Sequence, residues 1–376
     1  MKFSLSTHRN SINLARHVRR RGHLGLGLPP SRKKMLSPPS KHFLKRSFSS
    51  LFVPSPPPLS SSSLSLQQSS SLLSLFISTH SPKLAVLTGA GISTASGIPC
   101  YRGELGSYSK GHEPVQHSDF VRNPSKRARV WARSLRGFRY FANRQPTATH
   151  HLLSKLESVS AISGIVTQNV DRLHHKAGSV NVVELHGRGD VVACINTECT
   201  FREPRTTFTE SMEAMNQEWM KKNGLVQIQL SGGQEGEGEE GEGEEDEEGG
   251  EDIRADGDAH MSLDDYDDFV VPSCHECGGT IMPELTFFGG SIQPEIKDSA
   301  AQIIDKADAL LILGTSAHVY SAYRLVRSAS LAKKPIMMVN IGETRVDDMV
   351  DVKIEHALDD VLQRSVEDYL SVQRST

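Results

Sequence analysis

The chain has 376 residues, 37% hydrophobic and 23% charged, with a formal net charge of −3. That length holds one large globular domain or two ordinary ones. Beyond the N-terminal leader no stretch approaches the roughly eighteen apolar residues of a membrane-spanning helix. Only five cysteines occur, and four of them fall in two close pairs, which in a reducing compartment reads as a metal set and not as disulfides.

Taken in chain order, the first feature is a charge asymmetry. No Asp or Glu precedes Glu104, while Arg9, Arg16, Arg19, Arg20, Arg21, Lys33, Lys34, Lys45 and Arg46 recur in a Ser-rich background. Residues 1–48 therefore read as an organelle transit peptide, with Arg46, Phe48 and Ser49 resembling a mitochondrial processing site. A plastid leader has the same composition, and a basic arm that binds nucleic acid or anionic lipid is the bland alternative. Residues 49–63, mostly Ser and Pro, read as a disordered linker that cannot bury enough apolar surface to offset its ordering entropy.

Order is expected from Leu64. Leu66, Leu72, Leu73, Phe76 and Ile77 recur at helical spacing, and Pro82 closes that segment before the apolar run 84–87. Further strand-like runs fall at 164–167, 182–185, 309–313 and 335–340, with helical stretches at 126–141 and 149–159. Strands alternating with helices predict an α/β fold with a doubly wound, Rossmann-like parallel sheet. The run 235–252 is almost wholly Glu, Asp and Gly, so 231–260 reads as an acidic disordered insertion between the cysteine pairs.

Polar motifs follow the strands. Gly89, Ala90, Gly91 and Ser93 come directly after the first run, where glycines let the backbone approach a pyrophosphate. Thr94 stands where a dehydrogenase fingerprint needs its third glycine, which disfavours an ordinary Rossmann oxidoreductase. Gln168, Asn169, Val170 and Asp171 end another strand, placed to grip a polar ligand or to cap a helix. His186 ends a third, and Gly187 after it opens space; a near-neutral imidazole there can take and return a hydroxyl proton. Gly314, Thr315, Ser316, Asn340, Ile341 and Gly342 continue the pattern. Cys194 and Cys199 are separated by four residues, Cys274 and Cys277 by two. Four thiolates give the closed sulfur cage of a structural zinc site, with no open position for a substrate.

In their order, the segments at 89–99, 167–178, 184–187, 287–289, 314–316 and 340–342, with the two cysteine pairs, resemble the sirtuins, especially the class II branch that has mitochondrial members. The resemblance runs from about residue 64 to 363 and implies a catalytic domain over 64–376, with a small zinc-ribbon module at about 188–284. It implies NAD as a consumed co-substrate, one structural Zn2+, and acyl-lysine proteins of an organelle matrix as partners, with no nucleic acid. By the same resemblance Ala90, Arg102, Gln168 and Asn169 hold the diphosphate, the nicotinamide ribose and a positioned water, and Gly89, Gly91, Ser93, Thr94, Gly97, Ile98, Pro99, Tyr101 and Val170 belong to the same NAD-binding set. Asp171 would meet the nicotinamide carboxamide, Gly314, Thr315 and Ser316 the adenosine side, Asn340, Ile341 and Gly342 the adenine ribose, and Leu358 the adenine. Phe288, Gly289 and Val319 would flank the acyl-lysine. Asn169 and His186 form the implied catalytic pair, His186 deprotonating a ribose hydroxyl after the acyl oxygen has attacked the anomeric carbon. Nicotinamide, O-acyl-ADP-ribose and free lysine are the implied products. Protein mono-ADP-ribosylation and an NAD-sensing scaffold are the competing functions.

The chain also departs from the family pattern. Cys100 stands where the family usually has Asp, and Gly290 where an acidic residue usually follows the Phe-Phe-Gly segment. The first cysteine pair is wider by two residues. The Tyr and Arg of the desuccinylase branch align with Val130 and Arg133, which disfavours succinyl or malonyl substrates.

Overall fold

Apolar runs of the sequence become strands covered on both faces. The computed structural model describes residues 59–60, 64–102, 106, 108, 111, 113–225, 254–259, 261, 266 and 268–375. Its strands are β1 (Leu59–Ser60), β2 (Leu84–Thr88), β3 (Ile162–Thr167), β4 (Val182–Glu184), β5 (Gly187–Cys194), β6 (Arg202–Pro204), β7 (Ile281–Leu285), β8 (Ala309–Leu313), β9 (Ile336–Val339) and β10 (Val352–Ile354). Seven of them form a parallel sheet in the order β1-β10-β9-β8-β2-β3-β4, and the other three an antiparallel sheet in the order β6-β5-β7. The expected doubly wound fold is present. From β2 the chain moves outward to β3 and β4, then returns on the other side to β8, so the topological switch point lies between β2 and β8.

The period-two alternation of strand side chains divides the large sheet's core. Leu84 and Val86 of β2, Ile165 of β3 and Leu311 and Leu313 of β8 meet α1 (Leu66–His80), α4 (Ala148–Ser158) and α10 (Leu358–Ser375) through Leu73, Ile77, Leu153, Val361 and Leu362. Ala85 and Leu87, Val166, and Leu310 and Ile312 face the opposite way, onto α8 (Pro294–Lys306) and α9 (Tyr320–Leu331), meeting Ala300, Ile304, Leu325 and Val326. Burial on both faces is why these strands read as continuous apolar runs and not as alternating ones. Helix starts follow from local chemistry. Ser65 and Gln68 form a capping box on α1, and Asn123 accepts from the Lys126 N–H at the start of α3 (Pro124–Asn143), with Pro124 at its first position.

The small sheet has its own core. Phe208 and Met212 of α6 (Arg205–Met215) and Trp219 of α7 (Gln217–Lys222) pack with Phe201, Cys274 and Ile281, and against Phe120 of α2 (His117–Arg122) and Trp131 of α3. Both tryptophans of the chain lie in this cluster.

The leader 1–48 lies outside the described residues. Within the stretch expected to be a linker, Leu59 and Ser60 pair with Val352 and Lys353 as the edge of the sheet; its other residues lie outside the description. The stretch 231–260 also differs from its composition-based reading at one end. Residues 254–259 pack, with Ala255 and Ala259 buried, the Arg133 Nε–H donating to the Ala259 carbonyl at 2.9 Å, and Asp258 paired to Arg254 at 2.6 Å and to Arg133 at 3.3 Å. The Arg133 contacts come from α3, more than a hundred residues earlier, and no local composition announces them.

Under the large sheet sit two buried histidines, His150 on α4 and His174 on α5 (Leu173–Lys176), their rings 4.9 Å apart. His150 accepts the Thr147 N–H at 3.2 Å, and His174 Nε2 lies 3.0 Å from Thr88 Oγ1. Burial, reinforced by His151, pushes His150 down to about 3, and burial with His150 and His175 lowers His174 as well. An unfolded chain binds these protons below its ordinary histidine pKa while the folded one does not. Stability is therefore full above about pH 6.5 and falls as pH drops below it, by on the order of 1 kcal/mol per pH unit from His150 alone. Urea midpoints at pH 7.5 and 5.5 measure this. The drop should shrink in His150→Gln, and an equal drop in that variant would remove His150 as its source.

Candidate active site and candidate metal centre

The ends of β2, β3, β4, β8 and β9 converge on one cavity of about 1070 Å³. After β2 the chain enters a 3-10 turn (Ala90–Ser96), and the Gly91 N–H donates to the Gly314 carbonyl at 2.8 Å, locking the turn after β2 to the turn after β8. The approach leaves no room for side chains: a Cβ on Gly91 would lie 2.8 Å from Gly314 Cα. Gln168 and Asn169 bind this junction from the end of β3. The Gln168 amide donates to Thr315 Oγ1 at 2.8 Å and to the Thr88 carbonyl at 3.2 Å. Asn169 donates to the Gly89 carbonyl and to Ser93 Oγ, both at 3.1 Å. Each side-chain NH2 thus uses both of its hydrogens within the protein, leaving the amide oxygens as acceptors.

Of the residues singled out from the sequence, Gly89, Ala90, Gly91, Thr94, Tyr101, Arg102, Gln168, Asn169, Val170 and His186 line this cavity. So do Phe288 and Gly289, Gly314 to Ser316, Val319, Asn340 to Gly342 and Leu358. Ser93, Gly97, Ile98, Pro99 and Asp171 do not line it. Ser93 and Asp171 are buried, and Ser93 Oγ donates to Asp171 at 2.7 Å. Burial pushes the Asp171 carboxyl up, against the lowering effect of the Leu173 N–H and Ser93. Their visible work is to brace the ends of β2 and β3. Gly97 ends the 3-10 turn at φ 77°, and Ile98 enters a small core with Phe141, Val170 and Leu173.

His186 lies between β4 and β5. The Leu185 N–H donates to the Thr167 carbonyl of the large sheet, and the Thr286 N–H donates to the His186 carbonyl from the small one, both at 2.8 Å. Gly187 has φ 81°, and a Cβ there would sit 2.2 Å from the Glu284 carbonyl, so the glycine after the histidine is required by the approach of β7. The ring reaches the Gln168 carbonyl with Nδ1 at 2.9 Å and Ser321 Oγ with Nε2 at 2.8 Å. A carbonyl only accepts, so Nδ1 carries the proton and Nε2 is the basic atom of the neutral ring. Burial lowers the His186 pKa and the Gln168 carbonyl raises it, with a net lowering that keeps the ring neutral at pH 7.

At the cavity mouth the Phe288 carbonyl accepts the His117 N–H at 2.8 Å, and the Arg102 guanidinium lies 5.1 Å from the Tyr108 ring centre. Cys100 and Gly290, the two departures from the family pattern, also line the cavity. The sequence reading missed Ser321, at the second position of α9, and Tyr108 and Arg205, which also line the wall. A Ser two residues beyond Val319 carries no motif of its own; the only local signal was its place at the start of a helix after a small-residue turn.

Glycine turns, amide oxygens, hydroxyls and Arg102 around one cavity form a set of donors and acceptors that suits a dinucleotide diphosphate and its riboses. The cysteine set fits a metal. The four Sγ atoms lie within 4.8 Å of one another, with Cys194–Cys277 at 3.5 Å and Cys199–Cys274 at 3.6 Å. A tetrahedral zinc with its usual Zn–S bonds needs sulfurs about 3.8 Å apart. The Gly279 N–H and the Cys194 thiol hold the Cys277 thiol down at about 7, a group ready to ionise for a cation.

Residues 89–321 match the Sir2 family model. The chain is 40% identical over 285 residues to the NAD-dependent protein deacylase Sirt4 of Drosophila melanogaster, covering 75% of this chain and 82% of that one. It is 38% identical over 315 residues to the mitochondrial NAD-dependent protein lipoamidase sirtuin-4 of Homo sapiens, with coverages of 83% and 88%. Among solved structures it resembles one described under the structural basis for the mechanism and regulation of Sir2 enzymes, at TM-score 0.59 and 25% identity, over 81% of this chain and 99% of that one. With the family motifs assembled around one cavity, and relatives of this identity matched along most of their length, the chain belongs to the Sir2 family.

Proposed function

We propose that this protein removes acyl groups from protein lysine side chains with NAD as consumed co-substrate, and that it does so in the mitochondrial matrix. The observation that carries the reading is the state of His186: neutral, with its proton fixed on Nδ1 and its basic Nε2 on the wall of the cavity formed by the glycine turns. When bound, NAD supplies an electrophilic sugar carbon and the hydroxyl to be deprotonated. The protein's own residues do the rest. The turns at 89–91 and 314–316, with Arg102, hold the diphosphate and adenosine side. The oxygens of Gln168 and Asn169 orient ribose hydroxyls, and Asn340 to Gly342 and Leu358 take the far end. Phe288, Gly289 and Val319 flank the acyl-lysine, excluding water from a reaction whose amide oxygen is a weak nucleophile. His186 Nε2 accepts the ribose hydroxyl proton. Cys194, Cys199, Cys274 and Cys277 would hold one Zn2+, which would brace the module at 188–284 and leave no open position for chemistry. The mitochondrial assignment is supported by the carboxylate-free basic leader and by the compartment in the human relative's name.

An acyl-lysine peptide panel tests this, with mass-spectrometric detection of nicotinamide, O-acyl-ADP-ribose and free lysine. All three should appear in equal amounts and only with NAD. Labelled NAD that ends on protein, with no O-acyl-ADP-ribose, would replace the reading by mono-ADP-ribosylation. NAD binding without nicotinamide release would leave a sensing scaffold.

A further inference from the structure

The hydrogen-bond partners of His186 account for both ring nitrogens. Because Nδ1 donates to the Gln168 carbonyl, the bond at Nε2 has one polarity only: the Ser321 hydroxyl donates and the imidazole lone pair accepts. The atom that has to take a proton from the sugar is thus already engaged. Ser321 stands at the second position of the twelve-residue α9, whose cap residue Val319 makes no side-chain bond. Its hydroxyl is aimed at the histidine and not at the helix's own amides. The positive end of α9 is at the same place and disfavours a charged ring.

We propose that Ser321 is a positioning residue for the general base: it holds His186 neutral, in the Nδ1–H tautomer and with Nε2 aimed into the cavity, and gives up its place at Nε2 to the ribose hydroxyl. This rests on the reading of His186 as the base. The exchange replaces one O–H···N bond by another, so the buried lone pair is satisfied before and after ligand binding. No proton leaves Ser321. The bond that breaks is the sugar O–H, whose oxygen keeps the electron pair, and the bond that forms is Nε2–H.

Charged neighbours do not offer a substitute for this role. Glu184 on β4 is paired with Arg172, and Glu284 on β7 with Arg202. Asp171 after β3 is bonded to Ser93. Arg102, Lys297 of α8, and His318, Tyr320 and Arg324 around the start of α9 border the same cavity. The ring nitrogens bond instead to the Gln168 carbonyl and to Ser321.

The test is a titration of His186 in the full-length protein without ligand, read by NMR of isotopically labelled histidine, in the parent, Ser321→Ala and Ser321→Thr. A donor to the neutral ring lowers its proton affinity, so Ser321→Ala should raise the His186 pKa by roughly half to one unit, and Ser321→Thr should restore it. The acid limb of kcat/KM, which reports the free enzyme, should move upward by the same amount in Ser321→Ala. That of kcat, where the ribose hydroxyl has taken Nε2, should move less. Identical titrations in the parent and Ser321→Ala would overturn the proposal, as would a Ser321→Thr protein that behaves like Ser321→Ala. The titration needs no turnover, so it decides about Ser321 even if the deacylation assay fails.

Discussion

Removing metal from the four-cysteine cluster, or replacing Cys277 by Ala, should unfold β5, β6 and β7 with α6 and α7 and abolish turnover. The three-stranded sheet includes strands of only three and five residues beside β5, and short sheets need a core or a staple. The two knuckles at 194–199 and 274–277 join chain segments with 74 residues between them, and Cys274 is itself part of the module's core. Structural zinc contributes apparent binding free energies of about 10–16 kcal/mol in small modules, comparable to the whole stability of a domain. Because Trp131 and Trp219 are the only tryptophans and both pack in this cluster, fluorescence reports on it directly. The expected result is a red shift of emission that follows release of one zinc per chain. Metal release with unchanged emission would make the site dispensable to folding.

The second large effect is expected at His186. His186→Asn keeps an N–H able to donate to the Gln168 carbonyl while deleting the base. Turnover should fall by roughly 10²–10⁴-fold, the usual worth of a positioned general base. NAD should still raise the melting temperature of the variant, since the glycine turns and amides are untouched. Retention of full activity would reassign the proton transfer to another group. In the parent, activity should decline as pH falls through the His186 pKa, since protonation fills Nε2.

The sequence made the strand-end motifs legible because each is a local event: an apolar run, then glycines, amides or a histidine. The segment 309–313 coincides with β8, and the helix at 126–141 lies inside α3. A motif does not say which of its polar atoms face a ligand. Ser93 and Asp171 looked like ligand groups, yet their contacts are with each other, Asn169 and Leu173. The amide nitrogens of Gln168 and Asn169 are likewise engaged across strands that lie about eighty residues apart. Long-range partners were illegible for the same reason. Ser321 meets His186 across 135 positions, and residues 254–259 follow an acidic run whose composition hides the buried alanines and the Arg133 contacts that fasten them to α3.

The connection from β4 to β5 consists of Leu185 and His186 alone. One residue hangs from the large sheet through its amide and the next from the small sheet through its carbonyl. A tilt of the small, cysteine-bearing sheet therefore has a lever arm of a single peptide before it reaches the imidazole. Any occupant that draws the two layers together therefore also displaces the His186 ring.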